Sequence, residues 1–151
     1  MMPVFAVERF HDVYEELFPL LVKHYEEISL HKLKGYPLNP NVAMYRAAED
    51  AGQLVMMIGR SEGKIVAYFV LFVRPSIHYI DCMEAVGDIF YCDPSRRGAM
   101  IGNALFEAVE AELRRRGVKC LMAGEKIAFP ATALFTRRGY KPIETKYAKW
   151  L

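Results

Sequence analysis

The chain has 151 residues, 53% hydrophobic and 25% charged, with 20 Lys and Arg against 18 Asp and Glu. This length and composition are typical of one soluble globular domain, which we expect to span residues 1–151. A net charge of +2 without a long basic stripe disfavours a nucleic-acid partner. The sequence has no apolar stretch of the ~20 residues that a membrane helix needs, and it has no leader pattern, so we expect a cytoplasmic protein.

The first segment of the chain predicts one short strand and two helices. Val4–Val7 can form a strand, and apolar residues recur at helical spacing from Phe10 to Ile28. Pro19 lacks a backbone N–H and clashes with the preceding turn, so it predicts a kink or break near Phe18. After a loop rich in Gly and Pro, Asn41 is a suitable cap for a second helix.

The middle of the chain predicts antiparallel strands. Leu54–Ile58 and Ile65–Val73 are apolar runs that flank the hairpin turn Ser61–Lys64. After a second turn near Ser76 to Asp81, we expect a central strand from about Glu84 to Cys92. Three cysteines, an odd number without metal-ligand spacing, are expected to be reduced thiols, and no metal site is expected.

The last third of the chain alternates helices and strands. Ile101–Arg116 predicts an amphipathic helix, Val118–Ala123 a parallel strand, and the stretch 130–139 a further helix. Tyr140–Lys149 predicts a last strand, with Trp150 capping the core. This order predicts an α/β fold around a mixed, mostly antiparallel sheet of about six to seven strands, flanked by about four helices.

The most informative motif is the turn between the central strand and the next helix, residues 93–103 (DPSRRGAMIGN). Such a turn directs free backbone N–H groups and the positive end of a helix dipole at one point, which suits a pyrophosphate. Arg96 and Arg97 add charge, while Gly98 and Gly102 let the backbone approach an anion closely. The alternative is an ordinary strand-to-helix loop with surface arginines.

This turn and the segments after it resemble the GNAT superfamily of N-acetyltransferases. The acyl-CoA loop of that superfamily reads Arg/Gln-x-x-Gly-x-Gly/Ala, which compares with Arg97–Gly102, and a later helix ends Leu-Tyr-x-x-x-Gly-Phe, which compares with Leu134–Tyr140. The resemblance covers about Val55 to Leu151. The whole sequence looks most like the small GNAT proteins encoded in bacteriophage and prophage genomes.

The resemblance implies a GNAT-like α/β (α+β) acyl-CoA N-acyltransferase fold whose two parallel strands splay apart. It implies acetyl-CoA as co-substrate, no metal, and direct attack of a primary amine on the thioester in a ternary complex. The acceptor would be an amine of a small molecule or a protein. A homodimer is common in the superfamily and is compatible with the aromatic strands.

The resemblance also assigns candidate residues for binding acyl-CoA. The backbone of the central strand would pair with the pantetheine arm as an added strand, and the N–H groups of the turn would hold the pyrophosphate. The expected contacts are Ile89, Phe90, Tyr91, Cys92, Arg96, Arg97, Gly98, Ala99, Met100, Ile101, Gly102, Asn103, Phe135 and Arg138.

Carboxylates near the splay point are the candidate general bases. We favour Asp88, an acidic residue in an otherwise apolar strand; Glu84, on the same strand face, and Glu125, after the neighbouring strand, are alternatives. A purely structural role for Asp88, as an acceptor of hydrogen bonds from the adjoining loop, stays open. On the acceptor side, the candidate substrate contacts are His78, Tyr79 and Tyr36.

Two residues depart from the family pattern. Met100 stands where the loop usually has its first Gly, and Phe135 stands where the family often has a Tyr that protonates the leaving thiolate. Because Phe cannot donate a proton, Tyr91, Tyr140 or water would take that role, or the thiolate would depart unaided.

The alternative functions are a catalytically weak or inactive CoA-binding or protein-interaction module on the same fold, and a nucleic-acid-binding adaptor that uses the arginine pairs.

Overall fold

The structure is a computed structural model that describes residues 1–98 and 100–151. Within those residues the chain forms five strands and four α-helices around one sheet. In chain order the elements are β1 (Val4–Val7), α1 (Phe10–Ile28), α2 (Val42–Asp50), β2 (Leu54–Ser61), β3 (Lys64–Pro75), β4 (Met83–Cys92), α3 (Ile101–Arg115), β5 (Cys120–Met122) and α4 (Thr132–Arg137). Short 3-10 turns occupy Lys32–Lys34 and Pro94–Arg96.

The sheet follows the chain order β1-β2-β3-β4-β5. The first four strands pair antiparallel, and the crossover through α3 makes β5 parallel to β4. The predicted mixed sheet with one parallel pair and four helices is therefore confirmed. The β2–β3 hairpin turns through Glu62 and Gly63, both at positive φ (51° and 78°), which is the conformation that a two-residue hairpin requires.

Helices cover both faces of the sheet. On one face, Phe10, Val13 and Leu17 of α1 pack against a buried set that includes Ile58 and Tyr68. On the other face, α3 buries Leu105, Phe106 and Val109 against a set that includes Val55 and Phe69. Since both faces are covered, β2 and β3 are near-continuous apolar runs rather than alternating ones. Among the described residues, no helix is both long and apolar enough to cross a bilayer.

Of the predicted kink or break near Phe18, the break is wrong. Helix α1 continues through Pro19 and ends only at Ile28. A proline inside a helix removes one hydrogen bond and crowds the preceding turn. Here the helix is held along its length by its apolar face, in which Val13 and Leu17 are 2% and 1% exposed. Burial of that face outweighs the local preference of one residue.

The predicted last strand is also wrong, and the sheet has five strands instead of six or seven. Residues 140–149 form no strand, and every residue of 141–151 is exposed. Pro142 has no N–H for a ladder, and charged residues interrupt the segment, so no continuous apolar face exists to bury. The neighbouring strand β5 is only three residues long, shorter than the predicted Val118–Ala123.

Trp150 does not cap the core. Its side chain is 44% exposed and lies on the connection between α1 and α2. The indole ring stacks on Tyr36 with centroids 5.9 Å apart and meets His31 edge to face at 5.0 Å. The Nζ of Lys34 lies 6.0 Å from the indole centroid. The C-terminal segment therefore reaches the α1–α2 connection.

Candidate active site

A cleft opens between the two parallel strands. Pairing of β4 with β5 ends at Val86 and Met122, whereas β4 continues to Cys92 and remains paired with β3. Within the described part of the chain, the other edge of residues 87–92 therefore has no strand partner. A Cβ added to Gly87 would lie 3.0 Å from Phe69 and 3.2 Å from Ala123, so only glycine lets the chain pass this point unstrained.

Asp88 lies in a β-bulge beside this cleft. Leu71 pairs with Gly87 while Val70 pairs with Ile89, so Asp88 is an extra residue without a partner on β3. A bulge turns two successive side chains toward one face of the sheet. Ile89 packs with the α1 cluster, and the Asp88 carboxylate reaches α2 on the same face. The bulge therefore presents an exposed carboxylate where β4 and β5 separate.

The Asp88 carboxylate has a partner on α2. The hydroxyl of Tyr45 donates a hydrogen bond to Oδ2 of Asp88. Burial, and then this bond to a carboxylate, raise the pKa of Tyr45, so its hydroxyl stays protonated and a donor at neutral pH. Tyr45 was not predictable from the sequence, since nothing in a helical Tyr indicates a partner 43 residues away.

The other two candidate carboxylates lie elsewhere. Glu84 is half-buried in the paired part of β4, opposite Cys120 of β5. The Glu125 carboxylate accepts hydrogen bonds from the N–H of Ala131 (2.6 Å) and from Oγ1 of Thr132 (2.7 Å). Glu125 therefore holds the residues at which α4 begins. Of the three, Asp88 alone lies where the cleft begins.

The N-terminus of α3 faces the end of β4 and has no side-chain cap. The first bond of the helix runs from the N–H of Ala104 to the carbonyl of Met100 (3.0 Å). In the described part of the chain, the N–H groups of Ile101, Gly102 and Asn103 have no acceptor. Free N–H groups at the positive end of a helix dipole are the kind of donors that can bind an anion. Ala99, which the sequence also assigned to this loop, lies outside the described residues.

Met100 occupies the left-handed region, with φ 62° and ψ 12°, where the family resemblance places a glycine. Such a conformation costs an L residue about 1–2 kcal/mol.

We expect Met100→Gly to raise the free energy of unfolding by about 0.5–1 kcal/mol. The substitution relieves the backbone strain, but glycine's greater freedom in the unfolded chain offsets part of that gain. Urea denaturation measures the gain. Met100→Ala, which shortens the side chain and keeps the strain, should show no gain; equal gains for both would contradict the interpretation.

Arg97 is turned toward α1. Nη1 and Nη2 of Arg97 donate to the two carboxylate oxygens of Glu27 at 2.6 and 2.8 Å, and Nε donates to the carbonyl of Cys92 at 2.9 Å. Its guanidinium lies 5.3 Å from the ring centroid of Tyr91. The hydrogen bond from Arg97 lowers the pKa of Glu27. Arg97 therefore holds the loop to α1, whereas Arg96 has no ion pair among the described residues and is the freer cation.

Arg138 and Phe135 hold α4 against α3. Nε and Nη2 of Arg138 both lie 2.9 Å from Oε2 of Glu110, and Nη1 lies 3.4 Å from Oδ1 of Asn103. The Arg138 side chain is only 17% exposed. Phe135 packs edge to face on Phe90 of β4 at 6.0 Å. These side chains shape the α4 wall beside the cleft.

The two tyrosines considered as proton donors have buried hydroxyl groups. Within the described chain, neither the hydroxyl of Tyr91 nor that of Tyr140 has a hydrogen-bond partner. Tyr91 stacks on His24 at 4.9 Å, and Tyr140 packs on Phe135 at 5.3 Å. Burial raises the pKa of Tyr91, and it raises the pKa of Tyr140 to about 12. A phenol with a raised pKa gives up its proton less readily, which weakens both as general acids.

His24 is a buried titratable residue that sequence reasoning missed. It is 8% exposed, and its Nδ1 lies 2.8 Å from the Tyr68 hydroxyl. Burial lowers its pKa from 6.5 to about 4.

Because the pKa of His24 is lower in the folded protein, the unfolded chain binds a proton more readily. The free energy of unfolding should therefore fall by about 3 kcal/mol as the pH drops from 6.5 to about 4. Urea midpoints measured between pH 7 and 5, above the carboxyl range, test this. His24→Gln should flatten the profile, and the exposed His78→Gln should not.

The candidate substrate contacts lie in two different connections. His78 and Tyr79 are exposed between β3 and β4, while Tyr36 lies between α1 and α2, where its carbonyl accepts a hydrogen bond from the Tyr25 hydroxyl. Trp150, which the sequence predicted to lie in the core, instead adds an aromatic surface beside Tyr36. Among residues 1–98 and 100–151, no group of three or more His, Cys, Asp or Glu side chains is close enough to hold a metal ion.

Comparisons with known proteins identify a family and a fold. The model of the acetyltransferase (GNAT) family matches residues 9–140. Among solved structures, a ribosomal-protein-alanine N-acetyltransferase from Brucella melitensis biovar Abortus 2308 is 15% identical, with 98% of this chain and 99% of that chain covered and a TM-score of 0.72. An aminoglycoside acetyltransferase from an uncultured soil metagenomic sample is 17% identical, with 100% and 99% covered and a TM-score of 0.76.

A third similar structure is described as holding the co-substrate. A predicted acetyltransferase with acetyl-CoA from Clostridium acetobutylicum is 12% identical, with 98% of this chain and 96% of that chain covered and a TM-score of 0.72. At these identities the likeness establishes the fold. No curated protein matches the chain.

Proposed function

Because the chain belongs to the acetyltransferase (GNAT) family, we propose that it transfers an acyl group, most simply acetyl, from acyl-CoA to a primary amine in a ternary complex. One observation carries this proposal. In the described part of the chain, one edge of residues 87–92 is unpaired, and the next α-helix along the chain, α3, has an uncapped N-terminus, so a site for an extended amide chain is followed by a site for an anion. Acyl-CoA has these two parts in this order.

Residues of this chain fit the co-substrate without a metal. The free edge of β4 can pair with the two amides of pantetheine as an added strand would. The N–H groups of Ile101, Gly102 and Asn103 can bind the pyrophosphate, with Arg96 near the same turn. In this arrangement most contacts come from the main chain, so Met100 is tolerated as long as its exposed side chain points away from the anion.

Asp88 is the proposed general base. The amine nitrogen attacks the thioester carbon, the C–S bond breaks, and the proton that the amine loses passes to the Asp88 carboxylate. This carboxylate is exposed beside the last paired residues of β4 and β5, where the thioester end of an acyl-CoA bound along β4 would lie. Positioning and proton transfer are what the protein must supply to such a reaction.

The leaving thiolate takes its proton from water in this proposal. Phe135 cannot donate one, and the Tyr91 and Tyr140 hydroxyls are buried with raised pKa values. An alkyl thiol ionises near pH 8.5, so a thiolate is a tolerable leaving group near neutral pH without a general acid.

The acceptor would bind on the face of the sheet that α1 and α2 cover, since the Asp88 carboxylate lies on that face. Two structural neighbours are described as acting on ribosomal-protein alanine and on aminoglycosides, both of which carry amines. We propose an amine of a small molecule or a protein as the acceptor class for this chain. His78, Tyr79 and Tyr36 remain the proposed contacts, joined by Trp150 because it stacks on Tyr36.

Calorimetric titration with acetyl-CoA and with free CoA tests the proposal, followed by mass spectrometry of acetyl transfer to a panel of amines and N-terminal peptides. Micromolar binding together with transfer to an amine would support it. Binding without transfer to any member of a broad panel would instead support the CoA-binding or protein-interaction module. Absence of binding at high micromolar acetyl-CoA would overturn the proposal.

A further inference from the structure

The bond between Tyr45 and Asp88 is the one side-chain hydrogen bond that joins α2 to the bulge of β4 among the described residues. It joins two residues far apart in sequence, and it ends on the carboxylate that lies where the parallel strands separate. A hydrogen bond to an ionised carboxylate is stronger than one between neutral groups and restricts the geometry of both partners. The bond therefore determines how Asp88 is presented to the cleft.

The Tyr45 ring is held firmly in place. It stacks on Phe10 of α1 with centroids 5.3 Å apart and planes at 13°, and on Phe72 of β3 at 5.8 Å and 25°. Two aromatic neighbours from different elements leave the ring little freedom to rotate its hydroxyl away from Asp88. The stacking therefore fixes the position of the Tyr45 hydroxyl relative to α1 and β3.

Helix α2 is capped at its start and bound to α1 at its end. At its start, Oδ1 of Asn41 accepts a hydrogen bond from the N–H of Met44 at 3.1 Å, which stabilises the helix itself. At its end, Oε1 of Glu49 accepts a hydrogen bond from the N–H of Phe10, the first residue of α1, at 2.6 Å. The Glu49 bond and the two ring contacts together hold Tyr45 against α1 and the sheet.

The two oxygens of Asp88 are not equivalent. Oδ2 accepts the Tyr45 bond, while Oδ1 has no hydrogen-bond partner in the described part of the chain. A carboxylate has two oxygens and about four acceptor sites, so holding one oxygen leaves the other to receive a proton. An unrestrained Asp on an exposed bulge would instead sample several rotamers.

We propose that Tyr45 is a positioning residue for acyl transfer, which holds Oδ2 of Asp88 so that Oδ1 accepts the proton of the acceptor amine. The inference rests on the proposed function, in which Asp88 is the general base. It adds a residue on α2 to a site that the family pattern builds from β4 and the α3 loop. The acceptor amine would then bind beside α2.

Removing the hydroxyl should release the Asp88 side chain. Without the bond to Oδ2, a carboxylate on an exposed bulge samples several rotamers, so Oδ1 is presented to the acceptor amine less often. Acyl transfer should then slow, while acetyl-CoA, whose proposed contacts are main-chain groups, should bind as in the native protein.

Tyr45→Phe tests the inference, because it keeps the ring and its stacking and removes only the hydroxyl. Carbon-13 NMR of the Asp side-chain carboxyls in the full chain, at neutral pH, should show a changed chemical shift for the Asp88 carboxyl. Tyr14→Phe is the matched control, since the Tyr14 ring contacts the same Phe10 ring at 4.9 Å and has no bond to Asp88. The control should leave the Asp88 resonance unchanged. An unchanged resonance in Tyr45→Phe would overturn the inference, whether or not the protein transfers acyl groups.

Kinetics separate this inference from the proposed function. In an active preparation, Tyr45→Phe should lower kcat about tenfold with the Kd of acetyl-CoA unchanged, and Tyr14→Phe should change neither. A loss confined to acetyl-CoA binding would overturn the inference and leave the proposed function standing. Native protein that neither binds acetyl-CoA nor transfers acetyl would overturn the proposed function, while the NMR comparison still decides the Tyr45–Asp88 coupling.

Discussion

Asp88→Asn is expected to lower kcat for acetyl transfer by roughly 10²–10³-fold, because Asn cannot take up the proton that the attacking amine loses. The substitution is close to isosteric, and the Asn side-chain oxygen can still accept the hydrogen bond from Tyr45. The bulge and the stacking of α2 on the sheet should therefore survive. The proposed acyl-CoA contacts are main-chain groups of β4 and of the α3 N-terminus, so the Kd of acetyl-CoA should stay within about twofold of the native value.

Glu84→Gln is the matched control for this prediction. Glu84 lies on the same strand but in the half that is paired with β5, opposite Cys120. We expect its removal to change kcat by less than about threefold. Steady-state kinetics with the best acceptor of the panel, together with calorimetry for acetyl-CoA, checks both variants. Full activity in Asp88→Asn with a large loss in Glu84→Gln would identify Glu84 as the general base. Full activity in both variants would indicate that water deprotonates the acceptor amine.

The sequence predicted those parts of the fold that depend on local signals. Positive-φ residues at the β2–β3 turn, the Asn41 cap and the spacing of apolar residues in α3 each act within a few positions. The turn at 93–103 and the uncapped α3 that follows it also depend on local spacing. The parallel pairing of β5 with β4 then follows from the crossover.

Features that depend on tertiary pairing were not predictable in this way. The bulge at Asp88 exists only because β3 pairs with β4 in a shifted register, and the Tyr45 bond needs α2 to lie over that bulge. Arg97 has the spacing of an anion-binding residue, yet its guanidinium pairs with Glu27, which sequence patterns cannot match to it. Pro19 shows the same limit, since burial of the apolar face of α1 decided against the local preference of the proline.

Phe106→Ala is expected to lower the free energy of unfolding by about 3–5 kcal/mol. Phe106 is fully buried at the centre of an aromatic cluster that joins three elements. Its ring meets Phe69 of β3 at 4.9 Å, Phe90 of β4 at 5.2 Å and Phe135 of α4 at 5.5 Å, each edge to face or nearly so. Truncation would remove these contacts and leave a cavity between α3 and the sheet, which rigid neighbours from separate elements cannot refill.

Urea denaturation checks this value through a fall in the midpoint at constant m. Phe129→Ala is the control, since Phe129 is 48% exposed in the connection before α4, and it should cost less than about 1 kcal/mol. Equal costs for the two variants would show that the cluster is not the core. Because a domain of this size is stable by only about 5–15 kcal/mol, Phe106→Ala would leave little margin. Phe90 and Phe135 form the wall beside the splayed edge of β4, so the same variant should also weaken acetyl-CoA binding under conditions where the protein is still folded.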